Sequence, residues 1–378
     1  MNTMTLDAII ADRIRAAGKI TFADYMAACL YEPGLGYYTS PGRKVGTEGD
    51  FYTSITVHAT FGRVIAREIA AMWRSMGCPA DFTLVEAGAG HGRLAGDILV
   101  VLAELLPDCY AATKLVLVEQ EPTLAEAQAA LLANHAARLS WLSPLELPGF
   151  RFSGVLYSNE LLDAMPVHRV LMTPQGLKEI YVTLDGDQFQ DHADLPSTPA
   201  LEAYLDRFGI PLHPGQEAEV SLAGLAWFED VAECLQQGFI LTIDYGWAKA
   251  ELYSPQRNLG TLLCYYKHTV EDNPYQRLGE QDITTHINFS ALIERGEELG
   301  LKSIWFGEQS RFLLSAGVIE ELEQIEASDL PEKDKLRLRL IIKRLIMPEG
   351  GMGDTFRVLV QSKGVVDPIL GCLRGISL

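Results

Sequence analysis

One short stretch constrains this chain more than any other: Leu84-Val85-Glu86-Ala87-Gly88-Ala89-Gly90-His91-Gly92. An apolar run ends in an acid and three glycines alternate. An amphipathic segment over 92–106 then starts at once and is closed by Pro107. Glycine allows the sharp turn that joins a strand to a helix, and it lets a ligand approach the backbone. The helix that follows offers free N–H groups and the positive end of its dipole. The same beat recurs downstream. Strands are expected over 82–86, 115–119, 138–141, 152–158 and 239–243, with helices over 92–106 and 123–135. Strands alternating with helices imply an α/β fold with a parallel sheet and right-handed crossovers.

Three intervals break the beat. In 167–215, the runs His168–Met172, Lys178–Leu184 and Gln188–Gln190 are separated by PQG and DGD. Those turn signals predict a small inserted antiparallel meander, followed by a helix near 198–208. Residues 246–290 read as a long irregular insertion. Helical patterns return at 290–300 and 317–347, and Phe306–Ser315 and Phe356–Ser362 read as strands closing the sheet. Ahead of the core lie two helices within 1–30, an aromatic, glycine-rich segment over 31–54, and a helix over 57–77. At 378 residues the chain exceeds the usual single-core limit of roughly 250–300. The expected organisation is a helical extension with an aromatic flap (1–80), then a core (81–378) with insertions near 167–215, 246–290 and 317–350.

Two cofactor classes use such a glycine turn. A dinucleotide site wants G-x-G-x-x-G with a small residue at position 93, but that residue is Arg93. Glu86, just before the turn, would repel a pyrophosphate and attract an ammonium. S-adenosylmethionine carries an ammonium and a sulfonium and no phosphate. The reading of Glu86, Gly88, Gly90 and Gly92 therefore favours S-adenosylmethionine over NAD, although glycines alone also serve packing. Glu119 ends the second strand, where an acid accepts ribose hydroxyls or is simply solvated. Beyond the carboxyl end of the 152–158 strand stand Asn159, Glu160 and Asp163. A helical turn there would put Glu160 and Asp163 on one face, and the same residues would also suit a helix cap.

Composition removes other classes. Thirty-one basic against fifty acidic residues give a formal charge of −19, which argues against duplex nucleic acid as a general partner. No apolar run reaches about 18 residues, so no membrane insertion is expected. Six cysteines without a C-x-x-C pair suit a reducing compartment, and Asp7 and Asp12 do not suit an import leader. The expectation is a cytoplasmic protein; a homodimer stays open. Cys264 and His268 share a C-x-x-x-H spacing without further ligands, and no H-E-x-x-H occurs, so no metal is expected. Residues 332–347 are basic and read as a solvated helix face.

Several strings together resemble the MidA-like family of S-adenosylmethionine-dependent methyltransferases. They are Tyr31-Glu32-Pro33-Gly34-Leu35-Gly36-Tyr37-Tyr38, Gly49-Asp50-Phe51-Tyr52-Thr53-Ser54, Glu86 to Gly92, Ser158 to His168, Ile243-Asp244-Tyr245-Gly246, and Gln281 to Phe289. The resemblance implies a Rossmann-like class I methyltransferase sheet, mostly parallel and seven-stranded. It also implies S-adenosylmethionine as cofactor and methylation of a protein side chain, arginine in the mitochondrial member that serves assembly of respiratory complex I. Asp50, Phe51 and Tyr52 would then fold over the cofactor, since cations favour ring faces. If arginine is the acceptor, carboxylates must clamp its guanidinium and take the released proton. Glu160, Asp163, Asp244 and Asp282 are the candidates, with His286 as a base near neutral pH. Other readings are a catalytically silent assembly chaperone and, more remotely, an NAD-dependent oxidoreductase.

Overall fold

The computed structural model describes residues 5–40, 59–267, 269–347 and 353–374. The chain divides into two compact units, Met1–Tyr52 with Leu162–Phe228 and Tyr245–Glu294, and Thr53–Leu161 with Glu229–Asp244 and Arg295–Leu378.

The second unit carries the main sheet. Its strands are β1 (Phe82–Ala87), β2 (Thr113–Val118), β3 (Leu139–Leu142), β4 (Phe152–Asn159), β5 (starting at Leu235), β6 (Lys302–Glu308) and β7 (Phe356–Lys363). Their spatial order is β6-β7-β5-β4-β1-β2-β3. β5, β4, β1, β2 and β3 run parallel to one another in that order, and β6 pairs with β7 antiparallel. The chain is an α/β protein with the mostly parallel, seven-stranded Rossmann-like sheet that the family resemblance implies.

The apolar runs explain the parallel core. Leu84, Val85, Leu115, Leu117, Val155, Leu156, Ile240 and Leu241 are all fully buried, as strands covered on both faces must be. The helix Arg93–Leu105 buries Leu94, Ala95, Ile98, Leu99 and Leu102, one apolar stripe at helical spacing. Strand order reverses beside β1, so the carboxyl ends of β1 and β4 flank a crevice of the kind in which open α/β sheets bind ligands.

One expected strand is corrected. Phe306–Ser315 is not a single strand: β6 ends at Glu308, and Gln309–Ser315 is helical. Gln309, Phe312 and Leu313 are its buried residues, a spacing that suits one helix face and no strand face. The helices Val318–Ala327 and Glu332–Ile346 lie in the connection between β6 and β7.

The other unit joins distant pieces of sequence. Helices Leu6–Ala17 and Phe22–Tyr31 are capped by Thr5 and Thr21, whose hydroxyls accept from the N–H of Ala8 and Asp24. Between them, Ile20 and Thr21 pair antiparallel with Val182 and Tyr181. The N-terminal helices are thereby tied to an antiparallel meander of His168–Thr173, Gly176–Asp185, Gln188–Asp194 and Glu217–Val220. Phe22, Tyr25, Met26, Cys29 and Leu30 pack with Val182, Cys264 and Ile283 in one core. The stretch 246–290, expected to be irregular, holds a further antiparallel sheet of Leu263–Tyr266, Thr269–Glu271 and Asp282–Thr284.

Candidate functional site

In the sheet unit, β1 runs into the glycine turn and then the helix Arg93–Leu105. Gly88 and Gly90 have φ of +75° and +51°, conformations costly for any residue with a side chain. A Cβ at Gly88 would stand 2.9 Å from Leu161 Cδ1, whereas at Gly90 nothing lies within 4 Å. The Gly88 position is closed by protein and the Gly90 position is open to a ligand. Gly92 starts the helix with no side-chain cap of its own, and in the first turn the Ala95 N–H is taken by the Glu86 carboxyl.

Glu86 lies beneath the turn, almost wholly buried, and its Oε2 accepts from the Tyr157 hydroxyl at 2.9 Å. Burial pushes its carboxyl up to about 8, against smaller downward pulls from the Tyr157 hydroxyl and the Ala95 N–H. A carboxyl raised this far holds its proton at neutral pH, and a cation seated against it would restore its charge. Glu119 follows β2 and is half-buried. Its Oε1 accepts from the N–H of Gln120 and Glu121, both at 2.9 Å, and its Oε2 from Gln128 Nε2 at 3.0 Å. Burial raises its pKa, against those same hydrogen bonds.

At the carboxyl end of β4 the chain is tightly held against β5, which runs Leu235–Trp247. The Glu160 N–H donates to the Ile243 carbonyl at 3.0 Å, and the Leu161 N–H donates to Asp244 Oδ2 at 3.2 Å. Asp244 is fully buried. Asn159 Nδ2 donates to Glu160 Oε1 at 3.0 Å. Glu160 stands at φ +54°, a left-handed conformation that non-glycine residues adopt where surrounding structure imposes it. The helical turn expected to put Glu160 and Asp163 on one face is therefore corrected: residues 160–167 form a loop. A left-handed residue at its start and Pro166 at its end both oppose a helix.

Asp163, Asp282 and His286 belong to the other unit. Asp282 is buried, and its Oδ2 accepts from the Tyr38 hydroxyl at 2.8 Å while Oδ1 accepts from the Ile283 N–H. Tyr38 stacks on Tyr31, with ring centroids 5.6 Å apart, and the Tyr31 hydroxyl donates to the Ala164 carbonyl. Burial, then the charges of Asp282 and Asp163, hold both phenols well above their ordinary range. The Asp163 carbonyl accepts from the Thr285 N–H at 2.9 Å. His286 lies in an aromatic stack, parallel to Tyr245 at 6.1 Å and edge-on to Trp247 at 4.3 Å. The structure thus gathers Glu86, the three glycines, Glu119, Asn159, Glu160 and Asp244 in one unit, and Asp163, Asp282 and His286 in the other. Asp50, Phe51, Tyr52 and His268 lie outside the described residues.

The sequence reading missed Gln128. It is fully buried on the helix Pro122–Leu131, where it touches both Glu119 and the Gly90 carbonyl. A signal was present: Leu124, Gln128 and Leu132 fall at i, i+4 and i+8, so an amide occupies the apolar stripe.

A left-handed glycine with open space beside it, a helix N-terminus that suits the carboxylate of an amino acid and a half-buried acid after β2 that suits ribose hydroxyls together fit S-adenosylmethionine. Fold and site define an S-adenosylmethionine-dependent methyltransferase. The chain belongs to the family of putative S-adenosyl-L-methionine-dependent methyltransferases, which matches residues 64–307. It is 30% identical to the Drosophila melanogaster protein arginine methyltransferase NDUFAF7 homolog, mitochondrial, over 94% of this chain and 84% of that one. Identity to the Homo sapiens mitochondrial protein arginine methyltransferase NDUFAF7 is 30%, over 81% and 72% of the two chains. A likely methyl transferase from Burkholderia thailandensis, solved bound to S-adenosyl-homocysteine, superposes with a TM-score of 0.86 at 33% identity. It covers 98% of this chain and 95% of its own. The resemblance to MidA-like methyltransferases and the choice of S-adenosylmethionine over NAD both stand.

The expectation of a cytoplasmic protein is corrected, because these curated relatives are mitochondrial proteins. The six cysteines are free, five of them buried and one exposed.

Proposed function

We propose that this methyltransferase acts on a protein side chain, with arginine as the acceptor. The observation that carries this reading is Glu160, left-handed at the carboxyl end of β4, where its N–H donates to the Ile243 carbonyl of β5 and the Leu161 N–H to the Asp244 carboxylate. Strain of this kind costs about 1–3 kcal/mol and persists where function needs the geometry. The identity to protein arginine methyltransferases supports the choice of acceptor.

Bound S-adenosylmethionine supplies an electrophilic methyl carbon. Gly88, Gly90 and Gly92 would hold its amino-acid end against the backbone, Glu119 its ribose, and Asn159 the neighbouring strand end. A guanidinium is protonated at neutral pH and a poor nucleophile. The Glu160 carboxylate would localise that charge on one nitrogen and receive the proton as the methyl group arrives. Asp244 acts through position, by holding the Leu161 N–H and with it the loop after Glu160.

The test uses extract from cells lacking the gene, labelled S-adenosylmethionine, and mass spectrometry of the modified proteins. Wild-type protein should place methyl groups on arginine, and Glu160→Gln should lower the rate by about 100-fold or more with adenosylhomocysteine affinity unchanged. Methyl groups on another residue type would sink the arginine assignment. A fully active Glu160→Gln enzyme would sink the role given to Glu160.

A further inference from the structure

Among the described residues the Gln128 side chain has three polar partners, and all three lie outside its own helix. Its Nε2 donates to the Gly90 carbonyl at 2.8 Å and to Glu119 Oε2 at 3.0 Å, while its Oε1 accepts from Trp141 Nε1 at 2.9 Å. These partners fix which end of the amide is which. A carbonyl and a carboxylate can only accept, and an indole N–H can only donate. The Gln128 side chain is also in van der Waals reach of the turn, since a Cβ at Gly92 would stand 3.2 Å from its Cγ. One buried amide therefore spans the glycine turn after β1, the acid after β2, and β3.

Among the described residues, Glu119 Oε1 is committed to two backbone N–H groups and Oε2 takes a single bond, from Gln128. A carboxylate has about four lone-pair sites, so Oε2 keeps capacity for an incoming hydroxyl. We propose that Gln128 is a positioning residue for the nucleoside, fixing Glu119 Oε2 at a set distance from the glycine turn so that ribose hydroxyls are read. Trp141 sets the orientation of the amide that does this. The proposal rests on the assignment of Glu119 to the ribose, and it explains why a polar residue stands where the apolar stripe of its helix should continue.

The experiment is calorimetric titration of the full chain with adenosylhomocysteine and with its 2′,3′-dideoxy counterpart, with thermal melts run alongside. Wild type should prefer the hydroxylated ligand by about tenfold or more, the loss expected when hydrogen bonds to a carboxylate are removed. Gln128→Ala and the isosteric Gln128→Glu, which replaces the donor by an acceptor, should weaken adenosylhomocysteine selectively and close that gap. Glu119→Ala should close it as well. Should Gln128→Ala fail to fold, Trp141→Phe keeps the test alive, because it frees the amide without removing it and should narrow the gap. A Gln128 or Trp141 variant that weakens both ligands by the same factor, or that leaves the gap intact while Glu119→Ala closes it, overturns the proposal. No gap in wild type, or one that survives Glu119→Ala, overturns the ribose assignment and the proposal with it.

Discussion

The glycine turn and the Tyr38–Asp282 cluster, one in each unit, are built by opposite means. The turn is made of backbone: left-handed glycines, strand ends and N–H groups from a few contiguous segments. The cluster is made of side chains, with Tyr31 and Tyr38 from the N-terminal segment, Asp163 from the loop after β4, and Asp282 from a strand over a hundred residues later. A backbone-built site should respond sharply to any added atom. A side-chain-built cluster should lose one hydrogen bond at a time.

The largest expected effect breaks the turn. Gly88→Val adds atoms against Leu161 and forces a branched side chain to φ +75°, at a combined cost of about 2–5 kcal/mol. Adenosylhomocysteine affinity should fall by at least about 100-fold in calorimetry. An affinity within a few-fold of wild type would mean the turn tolerates side chains and the contrast is false.

Next comes pH. The Glu86 carboxyl is raised in the folded chain from 4.5 to about 8, so between those values the unfolded chain has lost a proton that the folded chain keeps. The contribution of Glu86 to the stability of the ligand-free protein is fully present below 4.5, declines above it and is gone once pH has risen through 8. The slope is about 1.4 kcal/mol per pH unit, on the order of 3 kcal/mol by pH 7. Denaturant melts from pH 5 to 8 should show that decline, and Glu86→Gln should flatten it.

The cluster should yield less. Tyr38→Phe removes the hydroxyl bond to Asp282 and should cost about 1–2 kcal/mol, seen as a fall of a few degrees in Tm. A larger loss would make the cluster as indivisible as the turn. The smallest effect has the opposite sign. Glu160→Gly relieves a left-handed conformation and should stabilise the fold by about 1 kcal/mol while methylation is lost. Unchanged stability would show that the loop imposes no strain there.

The same contrast governs what could be read from the sequence. The turn, the strands β1, β2, β4 and β5, and the inserted meander were legible because each is written in local apolar runs and glycines. The helix Gln309–Ser315 was misread because Phe312, Leu313 and Leu314 look like the continuation of a strand until burial reveals helical spacing. The loop over 160–167 was misread because acids three apart suit a helix, and nothing local announces that Glu160 turns left-handed. The pairing of Ile20–Thr21 with Tyr181–Val182 was invisible, since neither short segment carries a signal for the other. Gln128 was legible only as an anomaly, a polar residue in an apolar stripe, and its three partners come from three separate stretches of chain.

The pairing of Ile20–Thr21 has a consequence for the order of events during synthesis. Beside it, the Thr183 hydroxyl donates to the Gly18 carbonyl, 165 residues away in sequence. At elongation rates of about 5–20 residues per second, the first strand waits on the order of 10–30 s for its partner to leave the ribosome. Throughout that interval the apolar faces of the first two helices, with Ile10, Ile14, Phe22, Met26 and Leu30, have no meander to pack against. Until the meander emerges, these faces stay open to water or to a holding chaperone.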